Sequence, residues 1–332
     1  MLRQKKGLRL ILAVAGLVML VVAIAYAAPI GTLKQFRVPT RNSSPLDITQ
    51  GSDGNFWFTE GFVNPPQGVN HNVGRITPAG DITEFLVCSD SCFPNRIAQG
   101  PGGILYFTKS TAGLGRITTS GTVLPDVAPP DTGANGNGVA VHGTDIFFAA
   151  FNTNSIWRYD TLTDTFSEFV IPTLSATPYG VAVDAAGIVW FTEFGANQIG
   201  RLDPTSGVIT ETPLNNASNG PRGIAIATDG KVWFTKRFSN VVGFFDPATN
   251  AVTEFPLPTS GTGPEGIAAA PDGSVWFAQS VAGNVARITA SGVITEGKSV
   301  KGSEPFGITV APNGDPWYAE LSADKIATLQ LR

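Results

Sequence analysis

The sequence predicts an all-β chain folded as a seven-bladed β-propeller of four-stranded blades, closed by its N-terminal strand completing the last blade. Three observations lead there. An aromatic pair followed by a small residue, and often then a charge, begins at Trp57, Tyr106, Phe147, Trp190, Trp233, Trp276 and Trp317, at intervals of 49, 41, 43, 43, 43 and 41 residues. That spacing suits a four-stranded blade, and the helical periodicity of a solenoid with similar repeats is absent. Finally, the last repeat stops at its third strand, Lys325-Ile326-Ala327-Thr328-Leu329, while Leu33-Lys34-Gln35-Phe36 matches the fourth-strand pattern Ile82-Thr83-Glu84-Phe85. Pairing the two removes both free edges of the ring.

The elements follow in order along the chain. Arg3, Lys5, Lys6 and Arg9 precede an apolar run from Leu10 to Ala28. Basic residues before an apolar run with Ala25-Tyr26-Ala27 at its end read as a secretory signal over residues 1–27, with the propeller occupying 28–332. Such a protein is secreted or periplasmic; left uncleaved, the same run is long enough to anchor it to a membrane. Within a blade the clearest unit is Pro221 to Pro258. Gly223-Ile224-Ala225-Ile226 alternates as the inner strand and Asp229-Gly230 turns the chain into Lys231-Val232-Trp233-Phe234-Thr235. Val241 to Phe245 forms the third strand, and Val252-Thr253-Glu254-Phe255 the outer one, with Gly and Pro marking the crossing to the next blade. Cys88 and Cys92, the only cysteines, are expected to form a small disulfide staple rather than a metal site in an exported chain.

Removing the N-terminal segment takes away four cations and leaves 18 basic against 26 acidic residues, a net charge of −8. Nucleic acid is therefore not an expected partner. No later run is apolar enough for lipid, and a monomer is expected.

Chain direction places two connections at one end, here called the top: the crossing into each inner strand, and the link after each second strand. The crossings carry Leu46, Asn95, Asn137, Tyr179, Arg222, Glu265 and Phe306; the second strands end in Glu60, Lys109, Ala150, Glu193, Lys236, Gln279 and Glu320. Both rings are expected to face the axis, where chemistry can vary without disturbing the frame. Tyr179, Glu193, Arg222, Lys236 and Glu265 then form a ligand pocket suited to a small molecule, glycan or peptide that is anionic or rich in hydroxyls. The competing reading is that Arg222 and Lys236 neutralise Glu193 and Glu265 and simply close the channel.

Arg75, Arg116, Arg201 and Arg287 occupy the same place in four third strands and are expected to make structural contacts between blades. His142 ends an inner strand on the bottom side. His71 lies in an extended link after the second strand of blade 1, and could lean over the mouth as a catalytic base. Glu304 and Glu320, with backbone oxygens, could hold Mg²⁺ or Ca²⁺. No nucleophilic triad, phosphate loop or His/Cys metal cluster is evident.

The string Gly-Ile-Ala, Asp-Gly, Trp-Phe-Thr-Glu, Asn-x-Ile-Gly-Arg-Leu and Ile-Thr-Glu, seen best over residues 180–211, resembles the virginiamycin B lyase (streptogramin lyase) family and extends over residues 31–332. That resemblance implies a seven-bladed propeller, akin to sugar-lactone hydrolase propellers, that opens a cyclic depsipeptide by elimination with a magnesium ion and a His base. Glu304-Pro305-Phe306-Gly307 stands where the family has Glu-Pro-His-Gly, so a metal-binding Glu is matched and the base is replaced by Phe306. A second family His corresponds to Glu265 and a substrate-contacting Tyr to Leu46, while the second metal Glu falls near Glu320. The resemblance leaves three readings: a binding propeller, a metal-assisted lyase or lactone hydrolase using Glu265 or His71 as base, and a protein-interaction scaffold.

Overall fold

The computed structural model describes residues 30–61, 71–89, 92–111, 113–131, 133–215 and 220–331. The expected signal segment lies outside them. Seven antiparallel four-stranded sheets are present. Blade 1 comprises Pro45–Gln50, Phe56–Glu60, His71–Ile76 and Ile82–Cys88, and the next five blades repeat that order. The seventh combines Pro305–Val310, Pro316–Glu320 and Lys325–Gln330 with Thr32–Arg37 from the start of the chain. Phe36 pairs with Ile326 across that seam, as the sequence predicted.

Each motif residue has a visible task. Second-strand side chains alternate between the two faces of the sheet, and both faces pack on neighbouring blades. Trp57 joins Ile97, Leu105 and Phe107 of blade 2, while Phe56 and Phe58 join Trp317, Ala319 and Ile326 of blade 7. The Asn before the third strand adopts a left-handed φ, 56° at both Asn197 and Asn240, which Asn tolerates better than most residues. Its side-chain amide also ties down the end of the outer strand, donating to the Leu214 and Leu257 carbonyls respectively. The indole N–H groups of Trp57 and Trp190 donate to Asp53 and Asp184 in the preceding turns.

The third-strand arginines act within blades rather than between them. Arg75 lies over Trp57 and Phe85, and Arg201 over Trp190. Arg116 donates to the Pro125 carbonyl, and Arg287 to Ser274 and Asp272. Register explains this: Arg75 pairs with Trp57 and Arg201 with Trp190, which puts each guanidinium over its own blade's ring. Cys88 and Cys92 are bonded, closing the turn between blades 1 and 2.

Candidate functional site

Five inner strands begin at Pro45, Pro94, Pro178, Pro264 and Pro305, opposite Glu60, Lys109, Glu193, Gln279 and Glu320 respectively. The ladder slips immediately afterwards, so the residue after each proline sits in a bulge, a device that re-aims side chains at barrel rims and sites. The residue before the proline is held at positive φ, 47° at Ser44, 53° at Thr177 and 49° at Glu304. A non-glycine residue before proline resists that conformation. Its carbonyl, however, accepts a backbone N–H just beyond the second strand: Gly61 bonds Ser44, Phe194 bonds Thr177 and Leu321 bonds Glu304.

The Thr of Trp-Phe-Thr fixes the ring. The Thr192 hydroxyl accepts the Gly180 N–H at 2.7 Å and donates to the Arg222 carbonyl of the next blade at 2.8 Å. Thr59, Thr108 and Thr235 make the same pair of bonds. Adjacent inner strands approach so closely that a Cβ on Gly223 would lie 2.3 Å from the Glu265 carbonyl oxygen. In blades 1 and 2 this glycine is replaced by Asp47 and Arg96.

Those replacements help to build the mouth. Arg96 pairs with Asp47 at 3.4 Å, and Asp47 also accepts the Ile97 N–H at 3.0 Å. The Arg96 guanidinium lies 4.8 Å from the Phe306 ring and 5.7 Å from Tyr179, spanning the axis from blade 2 to blades 7 and 4. Arg222 donates to both oxygens of Glu265 at 2.9 and 3.2 Å, and Arg237 donates to the same carboxylate. Around Arg222 stand Tyr179 and Phe194, each at 5.2 Å, and Phe238 at 5.5 Å. Below this cluster the inner strands line an open axial cavity of about 250 Å³, with Asp47, Arg96, Tyr179 and Arg222 among its lining. Burial raises the pKa of Asp47 despite the neighbouring Arg96.

Of the expected pocket residues, Tyr179, Arg222 and Glu265 meet at this mouth. Glu193 and Lys236 do not. The second expected ring faces outward, between blades, where its polar side chains meet their own blade's fourth strand. Lys236 pairs with Glu254 at 3.4 Å, Lys109 with Asp126, Gln279 with Glu296 at 3.3 Å, and Glu320 with Gln35 at 2.6 Å. In two blades the pair is two acids. Desolvation, followed by repulsion from Glu84, raises Glu60 to about 9; desolvation and then Glu211 raise Glu193 to about 8. The physical reason is the period of two: Glu60 shares a face with Phe58, against blade 7, rather than pointing along the strand to the axis.

His71 is also placed differently. It opens the third strand of blade 1, opposite Cys88, is only 1% exposed and stacks its edge on Phe93 at 4.6 Å. The extra length of the link falls in residues 62–70, outside the described residues. Glu304 immediately precedes Pro305, the ladder partner of Glu320 at the top of blade 7, but the two carboxylates have separate partners: the Ser322 hydroxyl donates to Glu304 at 2.6 Å, and Gln35 holds Glu320. Burial raises the pKa of Glu320. Among the described residues no group of three or more His, Cys, Asp and Glu is placed to hold a metal.

Sequence reasoning missed Asp47, Arg96, Arg237, Phe194 and Phe238. The signal for the first two was present: they are opposite charges where the repeat otherwise demands glycine. The other three follow the second strands, where varying link length obscures equivalence.

Comparison with known proteins agrees with this frame. The profile of the virginiamycin B lyase family matches residues 22–224 and 139–332. A solved streptogramin B lyase superposes with a TM-score of 0.82 at 27% identity, covering 91% of this chain and 98% of its own. Virginiamycin B lyase from Staphylococcus aureus gives 0.81 at 27%, covering 91% and 99%. A catalytically inactive variant of that enzyme, solved with quinupristin, gives 0.81 at 28%, with the same coverage. No curated protein matches the chain by sequence.

Proposed function

Given that the chain belongs to the virginiamycin B lyase family, we propose that it uses the family's axial mouth to bind a small ligand, without the family's elimination chemistry. The supporting observation is the replacement of general-base chemistry by a salt-bridged aromatic cluster. Phe306, at the position matching the family's base, cannot accept a proton and instead stacks on Arg96. Glu265, the alternative base, is held by two guanidiniums; abstracting a proton would give up both charge-assisted contacts. His71 is packed between blades 1 and 2, beside Phe93.

Incubation with quinupristin, followed by mass spectrometry, tests this reading. The expected outcome is intact depsipeptide with and without magnesium. Ring opening at a rate above the buffer control would overturn it.

A metal-assisted lyase or lactone hydrolase is the second reading. It is favoured by one observation: Glu320 Oε1 is buried without a hydrogen-bond partner among the described residues, opposite Pro305, the residue that follows Glu304. Mg²⁺ or Ca²⁺ would need both carboxylates ionised and converging, whereas each is engaged elsewhere. A melting temperature raised by either ion in the wild type but not in Glu304→Ala would revive it.

We also read residues 1–27 as an export signal. The first strand runs from the bottom face at Thr32 to the top at Arg37, where it pairs with Lys325. A chain retained by its N-terminus would therefore hold its mouth away from the membrane.

A further inference from the structure

We infer that the axial mouth takes a small aromatic carboxylate, and that Glu265 occupies the place of its carboxylate in the free protein. This rests on the axial-binding reading above and specifies its ligand.

Charge is the first argument. Among the described residues, Arg96, Arg222 and Arg237 converge on the mouth, and the carboxylates paired with them are Asp47 and Glu265. The local excess is positive on a chain whose formal net charge is −4, so composition alone does not produce it. An anion is drawn to such a focus, and a cation is repelled.

Donor geometry is the second. Arg222 meets Glu265 through Nη1 alone, using one corner of a fork that can grip a carboxylate along an edge. Its Nε is buried and has no acceptor among the described residues. A buried guanidinium donor without an acceptor carries a desolvation cost that a ligand oxygen would remove. Both mouth carboxylates are already bonded to arginines, so the site offers acceptors poorly and donors well. That favours an acid over a sugar, which needs both.

The walls supply the third. Tyr179, Phe194, Phe238 and Phe306 ring the guanidiniums, and Phe238 is 57% exposed, a large aromatic left in water 5.5 Å from Arg222. A planar ring could stack there while its carboxylate reached Arg222 and Arg237. The cavity of about 250 Å³ beneath suits a single-ring compound.

Glu265 then acts as an internal competitor, which yields a result that a merely structural salt bridge would not give. The test is isothermal titration of the protein at low salt with benzoate, phenylacetate and cinnamate, against benzamide and benzylamine. We expect the acids to bind, the neutral and cationic analogues to bind at least about tenfold more weakly, and Arg222→Met to abolish acid binding. Glu265→Gln, which keeps the shape and removes the internal anion, should tighten acid binding about tenfold. Should that variant fail to fold, Arg237→Gln reports instead, with acid affinity falling severalfold.

Equal affinity for benzoate and benzamide, or unchanged or weakened acid binding in Glu265→Gln, would overturn the inference. If neutral ring compounds bind and Arg222→Met removes that binding, the axial reading survives and this one falls. If neither the acids nor the neutral compounds bind, both fall.

Discussion

Two rings of variable residues crown this propeller, and they do opposite things. The inner ring, at the start of each first strand, gathers Arg222, Glu265, Tyr179 and Phe306 around the axis, where charges from different blades meet. The outer ring, at the end of each second strand, is buried between blades, and its polar groups are met chiefly by the fourth strand of the same blade. Variation in a repeat therefore has two meanings. On the axis it changes which charges and rings face the central opening; between blades it changes how the same buried contact is satisfied.

The outer ring satisfies that contact in three ways: cation with acid, amide with acid, and acid with acid. The largest effect should come from breaking the first. In Lys236→Met the Glu254 carboxylate and the Asn215 carbonyl lose their shared cation in a buried site. The expected loss is about 3 kcal/mol in urea unfolding at pH 7, with little effect on binding at the mouth.

The acid pairs make stability depend on pH. Glu193 and Glu60 titrate near 8 and 9 in the fold, above the ordinary value of 4.5. Between those limits the folded chain binds more protons than the unfolded one, so stability falls as pH rises. The contribution is complete below about pH 4.5 and is lost as pH passes through 8 to 9. Glu193→Gln copies the amide–acid pair that blade 6 makes with Gln279 and Glu296. It should add about 1–2 kcal/mol at pH 8 and nothing below pH 4.5. Denaturant melts across pH 4 to 9, wild type against variant, would show the two curves converging in acid.

The converse change sharpens the comparison. Gln279→Glu should create a third acid pair and lower stability at pH 8 by about 1 kcal/mol, with the deficit shrinking as pH falls. A deficit independent of pH would mean that packing, not protonation, distinguishes these blades.

Thr235→Ala should have the smallest effect on stability, about 1 kcal/mol or less, because blades 3, 6 and 7 already carry Ala149, Ala278 and Ala319 there. Its consequence belongs to the inner ring. Without the bond from Thr235 to the Glu265 carbonyl, the mouth loses a positioning contact. Acid binding should weaken while unfolding barely changes, which a titration beside a melt would detect.

Much of this was legible in the residues. The aromatic spacing, the Asp-Gly turns and the resemblance of Leu33–Phe36 to an outer strand give blade number, strand order and closure, because each depends on local patterning repeated seven times. Tyr179, Arg222 and Glu265 were also legible as mouth residues, since the Pro-x-Gly crossing must pass the axis. Two matters were decided only by the tertiary structure. A second strand has a blade on each side, so its alternating side chains turn toward neighbours and carry Glu193 and Lys236 off the axis. And the partners of a buried charge, Glu211 for one and Glu254 for the other, lie a strand pair away, set by registers that no single segment of sequence specifies.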